Sequence, residues 1–414
     1  LLLRDTASAT EACRLGFGTV RVESGVIVGV EERAAPGATE ADISREDDAP
    51  LIMPGLCDGH VHLPQFDSMG VAGLELLDWL DRVIFPAEMR WADTGYAAAM
   101  AARVARGLAS FGTTCVNAFA TVHPASTQAA IDALGDAGLR GLVGHVLMDR
   151  GAPTPLISRA HEGLDAVGGL RVRGGIGPAV APRFAVACSA GLLRGSAEAA
   201  RAAGLKVHTH LAETTRECAL VRELFGGAGY VEAYDDCGIL QPGAILAHAI
   251  HLSDADRATL ARRGCVVAHC PTANRFLDAG VMDRAAVVGA GIGVLLGSDV
   301  AGGPDRSMVR VARAMLEAAG QARGAGTMGG PRPATLPTAA HAWATITHVG
   351  PALLGLGDTG ALAPGMRADI VIATPDLPGW AHAANPLSTL LYAWDDRWIE
   401  RTFARGAVAY ARRS

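Results

Sequence analysis

His60 and His62 close an apolar run over residues 51–62. In an extended strand, residues two apart point to one face, so both imidazoles can meet a single ion. His208 and His210 repeat the spacing. Among 13 histidines in 414 residues about 0.4 such pairs arise by chance, so the pattern gains its weight from position. His210, His248, His269 and Asp299 each fall at the carboxyl end of a predicted strand, which would gather six polar groups on one rim. Imidazoles with one carboxylate and no thiolate suit Zn²⁺, with Fe²⁺ as the alternative. A metal with an open position brings the pKa of its water toward about 7 and supplies a nucleophile at neutral pH. Glu213, three residues after His210, would stand beside that water as a proton shuttle; the competing reading is an acid stabilised at a helix N-terminus. His208 shares a face with His210 but lies one layer deeper, which favours His210 as the ligand.

These residues need a frame that brings strand ends together. Apolar β-type runs recur at 51–62, 113–119, 140–148, 173–180, 205–211, 244–250, 265–270 and 292–299, each followed by an Ala/Leu/Arg-rich helical segment. Near-continuous apolar strands alternating with helices indicate a parallel sheet covered on both faces, and eight units predict an α/β fold of the (β/α)8 TIM-barrel type. The alternating segments 17–31, 366–374 and 399–410 predict a small β-sandwich built from both termini. The expected boundaries are 1–52, 53–364 and 365–414. Residues 71–93 form an amphipathic insertion after the first barrel strand, and its Trp79, Phe85 and Trp91 are read as a core or subunit-contact face. GLGDTG at 355–360 matches a dinucleotide fingerprint but lacks the flanking strand and helix, and is read as a loop.

Composition removes other chemistries. Of 36 basic residues every one is Arg except Lys206, which sits in GLKVH. There is no phosphate-binding loop, and Schiff-base catalysis would rest on this one amine. A lysine that could bridge two ions is missing from the end of the fourth barrel strand. Lys206 opens the fifth, about 13 Å from His210 on the opposite rim, so one metal ion per chain is expected. Net charge −6 without a basic run argues against nucleic acid. The eight cysteines form no C-x-x-C pair, the longest uncharged apolar stretch is too short to span a bilayer, and no signal peptide is evident, so a cytoplasmic protein is expected.

PGLCDGHVHLPQF (54–66), HLAET (210–214), AILAHAIHLS (244–253), VAHCPTANRFL (267–277) and LGSDVAGGPDRSM (296–308) together resemble the amidohydrolase superfamily, over nearly the whole chain in order. HLPQF, APRF, the FPAE insertion and SDVAGG narrow the likeness to its guanine-acting branch. The resemblance implies a zinc ion held by His60, His62, His210 and Asp299, with His248 either a further ligand or hydrogen-bonded to the metal's water. It also implies that Glu213 protonates the ring nitrogen next to the reacting carbon while Asp299 takes the water's proton. Gln65, Arg183, the backbone at Phe184 and Glu213 resemble purine-binding residues, and His269 is expected to line the same pocket. The implied reaction is hydrolytic deamination of guanine to xanthine and ammonia in purine catabolism, by a homodimer. An aminohydrolase acting on 8-oxoguanine, a pterin or a triazine is the near alternative, and a non-catalytic metal-binding barrel the distant one. The sequence departs from the branch at DSMG after HLPQF, at Cys57 and at Gly59.

Overall fold

The computed structural model describes residues 1–7, 11–33, 50–157, 160–324 and 336–413. Residues 34–49, part of the expected N-terminal segment of the sandwich, lie outside them. Two antiparallel pairs open the chain: β1 (Leu2–Arg4) with β2 (Cys13–Leu15), and β3 (Phe17–Glu23) with β4 (Val26–Arg33). The apolar run at 51–62 is two strands rather than one, β5 (Leu51–Pro54) and β6 (Leu56–His62). The break is at Gly55, where a Cβ would come within 2.1 Å of Thr114 Oγ1, and the Gly55 N–H leaves the strand direction to donate to Asp369 O at 2.8 Å.

From that break the chain enters the parallel-stranded body. β6, β7 (Thr113–Phe119), β8 (Arg140–Leu147) and β9 (Gly175–Pro182) form one parallel sheet in chain order, and β10 (His208–Leu211), β11 (Ile245–His248), β12 (Val266–His269) and β13 (Gly293–Leu296) form a second. β6 and β7 are buried along their whole length, as strands covered on both faces must be. A parallel bridge from Val180 to Val207 joins the two sheets on one side. On the other, Asp299 N donates to His60 O at 2.8 Å and His62 N to Val300 O at 3.1 Å. All eight predicted barrel runs therefore carry a parallel strand.

The end of the chain returns to its beginning. β14 (Ile370–Ala373), β15 (Ile399–Ala404) and β16 (Ala407–Ala411) make an antiparallel sheet with β5 in the order β16-β15-β14-β5. Leu3 and Ile27 from the N-terminal pairs share an apolar cluster with Leu362, Ala368 and Ile370. Residues 355–360 form turns, without a strand before them. No helix among the described residues is long and apolar enough to cross a membrane.

Side-chain caps fix several of the helix starts. Asp93 accepts from Gly95 N and Tyr96 N ahead of helix Thr94–Ser110. Thr214 and Glu217 make a reciprocal capping box at helix Thr215–Leu224, directly after the HLAET segment. Gly59, one of the departures from the expected pattern, has a packing cause: a Cβ there would stand 2.0 Å from Leu295 Cδ1 and 2.9 Å from Leu296 O.

Candidate active site

Parallel strands deliver their carboxyl ends to one rim, and the histidines arrive there together. His60, His210, His248 and Asp299 each offer a ligand atom, all within 4.8 Å of one another and all buried. Asp299 Oδ1 lies 3.2 Å from His60 Nε2 and 3.3 Å from His62 Nε2, and His62 Nε2 is 3.1 Å from His210 Nε2. Asp299 Oδ2 is 3.9 Å from His248 Nε2, which is itself 3.4 Å from Glu213 Oε2. The rim backbone is strained to make this meeting. Of seven non-glycine residues with left-handed φ among those described, Ala212, His248, Ala249 and Asp299 belong to it. Such a conformation costs about 1–3 kcal/mol per residue and persists only where surrounding structure enforces it.

Three of the four rim imidazoles, those of His60, His210 and His248, are oriented from behind. His60 Nδ1 meets His208 Nε2 at 2.8 Å, so the deeper histidine of the second pair supports a rim histidine instead of joining the group. The Arg183 carbonyl accepts from His210 Nδ1 at 2.6 Å, which leaves Nε2 of His210 bare. His248 Nδ1 lies 2.9 Å from Asn274 Oδ1, with the same result. Asp58 accepts from Ser298 N at 2.9 Å and Ser298 Oγ at 2.5 Å, fastening β6 to the turn that carries Asp299.

Electrostatics favour neutral rings around one anion. Burial lowers His62 to about 4 and holds His60, His208 and His210 below the usual imidazole range. For Asp299, burial pushes upward, but the His60 and His62 rings that crowd its carboxylate, with His248 beyond them, outweigh it and keep the carboxyl well below its ordinary range. Glu213 goes the other way: burial, then the charges of Asp299 and Glu217, raise it well above the ordinary range. Two nearby carboxylates whose environments separate their proton affinities are suited to opposite proton-transfer roles.

The donor set fits a metal ion. His60 Nε2, His248 Nε2 and Glu213 Oε1 are buried with no hydrogen-bond partner among the described residues, although buried polar atoms are almost always paired. A cation at the rim, with its water, would satisfy all three.

A cavity of about 30 Å³ opens beside this group, lined by His62, Gln65, Leu76, Trp79, Leu80, Arg183, Phe184, His210, Glu213, His248, Leu277 and Asp299. Gln65, Arg183, Phe184 and Glu213 therefore stand where they were expected. His269 does not. It ends β12 but lines a separate cavity of about 130 Å³ with Asn274, Arg275 and Gln321, and burial lowers it to about 3. Position at a strand end fixed its height but not which side of the strand it faces. Trp79 also departs from expectation: it is buried, yet with Leu76 and Leu80 it walls the cavity, while Trp91 is fully in the core.

One charged residue of the site escaped sequence reasoning. Glu88, on the short helix Phe85–Met89 of the insertion, accepts from Arg183 Nη1 at 2.7 and 2.6 Å and from Gln65 Nε2 at 3.0 Å. The only available signal was an acid within an otherwise apolar FPAE segment. Lys206 lies away from the rim, before β10, with Nζ 3.5 Å from Leu353 O.

The amidohydrolase family profile matches residues 51–409, and the chain belongs to that family. Guanine deaminases are among its relatives. That of Escherichia coli (strain K12) is 31% identical over 393 residues, 87% of this chain and 83% of the relative. A probable guanine deaminase of Deinococcus radiodurans is 33% identical over 379 residues, 87% and 84% of the two chains. The solved guanine deaminase of C. acetobutylicum, with guanine bound in its active site, superposes with a TM-score of 0.85 at 25% identity, covering 99% of this chain and 98% of that one.

Proposed function

We propose that this chain hydrolyses guanine at C2, with water entering and ammonia leaving to give xanthine. One observation carries the reading: the buried His/Asp group and the polar edge of Gln65, Arg183 and Glu213 line the same cavity. The guanine deaminases among its relatives support it.

His60, His62, His210 and Asp299 would hold a zinc ion, with His248 either a further ligand or a partner of the attacking water. Zinc bound there supplies a Lewis acid that makes water nucleophilic near neutral pH. Asp299, held ionised by its imidazole neighbours, accepts the proton of the attacking water. Glu213, whose carboxyl burial keeps protonated further up the pH scale, protonates the ring nitrogen adjacent to C2; Asp299 then passes the proton it took from water to the leaving amine, and the C2 hydroxyl returns its proton to Glu213 as the carbonyl forms. Gln65, the Arg183 guanidinium and the Phe184 backbone read the purine carbonyl and ring nitrogens, while Trp79 and Leu80 exclude bulk water. A flat heterocycle held by such an edge loses affinity steeply when a paired group is missing.

The finer architecture is part of the same proposal: the two four-stranded sheets close into a (β/α)8 barrel over 53–364, and the segments 1–52 and 365–414 build a β-sandwich beside it. The family likeness supports a homodimer and zinc rather than iron, which sizing and metal analysis check, and the composition supports a cytoplasmic protein, which cell fractionation checks. The deciding assay incubates metal-loaded protein with guanine, 8-oxoguanine, a pterin and a triazine and follows ammonia and product. Guanine should be turned over best, with xanthine formed. Turnover of 8-oxoguanine without guanine would overturn the substrate assignment, and no ammonia from any of the four would overturn the enzyme.

A further inference from the structure

Arg183 and Glu88 form an ion pair 3% and 4% exposed, inside the wall of the pocket. Both hydrogen bonds leave from Nη1, so one end of the guanidinium is committed to the carboxylate and the remaining N–H groups are left for a ligand. The Arg183 Cζ also sits 5.6 Å from the Phe85 ring, on the same short helix as Glu88. Glu88 Oε1 accepts from Gln65 Nε2 as well, and Gln65 Oε1 lies 3.4 Å from Ala301 N, so one carboxylate fixes the fork of Arg183 and the amide orientation of Gln65 together.

We propose that Glu88 sets the charge of this recognition edge, so that the pocket takes up a neutral purine and lets go of its more acidic oxo product. The inference rests on the purine reading of the pocket given above. Replacing an exocyclic amine by a carbonyl makes the ring N–H groups of the product more acidic, and near neutral pH a share of it is an anion. A buried guanidinium with no counter-charge would hold that anion strongly, because charge interactions are poorly screened there. Paired with Glu88, Arg183 offers directed hydrogen-bond donors with no net charge. The donors suit the neutral substrate, and the carboxylate behind them repels the anion. Glu88 is thus a positioning residue that acts through Arg183 and Gln65, and its chain segment, the insertion, becomes a determinant of product release.

The test uses zinc-loaded enzyme and measures kcat and KM for guanine and the inhibition constant of xanthine at mildly acidic and mildly alkaline pH. In Glu88→Gln the ratio of the xanthine inhibition constant to the guanine KM should fall about tenfold at alkaline pH, and less at acidic pH where the product is neutral. Glu88→Asp keeps the charge but shortens its reach. It should raise the guanine KM and leave the ratio as in the wild type, and it carries the test if Glu88→Gln does not fold. A wild-type ratio at both pH values in Glu88→Gln, or a shifted ratio in Glu88→Asp, overturns the charge argument. Arg183→Gln separates the two levels: unchanged guanine KM and xanthine inhibition there would overturn the purine reading itself. A large loss there with no effect of Glu88→Gln would remove only the role of Glu88.

Discussion

His248 Nδ1 and Asn274 Oδ1 lie 2.9 Å apart, both buried, and this one contact decides which nitrogen of His248 faces the metal group. The amide oxygen can only accept, so Nδ1 carries the proton and Nε2 presents its lone pair toward Glu213 and Asp299. Outer partners of this kind set ligand orientation and tautomer. Asn274→Leu should therefore weaken zinc binding by about 10- to 100-fold, read by competition with a chromophoric chelator. Asn274→Asp, which keeps an acceptor, should hold zinc far better than the Leu variant. Equal affinities in the two would show that the tautomer is set elsewhere.

Glu213 stands among buried neighbours with Oε1 unpaired among the described residues and a carboxyl raised well above the usual range. Glu213→Gln preserves shape and removes the proton shuttle. Its kcat for guanine should drop by about 10²- to 10⁴-fold, while metal analysis still finds close to the wild-type zinc content. Loss of metal in step with activity would instead make Glu213 a ligand.

Metal removal should be visible without any assay of turnover. The rim gathers four ligand residues in a buried space, and a cation bound only by the folded state adds about 4 kcal/mol of stability at a thousandfold excess over its Kd. Dialysis against a chelator should lower the Tm by several degrees, and zinc should restore it. An unchanged Tm after verified stripping would mean that the group holds no ion.

His145 supplies a pH dependence remote from the metal group. It is buried on β8, with Nδ1 3.1 Å from Thr127 Oγ1, and burial lowers it to about 4. Unfolded, the ring titrates near about 6.5. As pH falls, the unfolded chain takes up this proton first, so the contribution is complete above about 6.5 and is lost progressively toward about 4. The shift corresponds to about 3 kcal/mol. His145→Gln should flatten the dependence of unfolding free energy on pH across that window, measured by denaturant titration of both proteins. Parallel curves would refute the assignment.

The rim was legible because strand periodicity and strand ends are local properties. His60 and His62 share a face through spacing alone; His210 lies near the end of β10, His248 ends β11 and Asp299 follows β13. Facing was less legible: His269 ends β12 yet turns to the neighbouring cavity, since residues at the same height can lie on either side of a strand. Glu88 was hidden because its partner Arg183 is 95 residues away and no local period links an insertion helix to the loop after β9. The split at Gly55 was hidden for a similar reason, being imposed by Thr114 on another strand. Gly59 looked anomalous in sequence and is explained only by the Leu295 side chain that occupies the place of its Cβ.

The cavity beside the metal group, at about 30 Å³, has room for the centres of about two water molecules. Its apolar wall is Leu76, Trp79 and Leu80 of the insertion. The insertion is approached through Gly70 and Gly73, both left-handed and with open space where a Cβ would be. The one insertion therefore shapes the pocket twice over, with an apolar wall from Leu76, Trp79 and Leu80 and, through Glu88, a carboxylate that anchors Arg183 and Gln65.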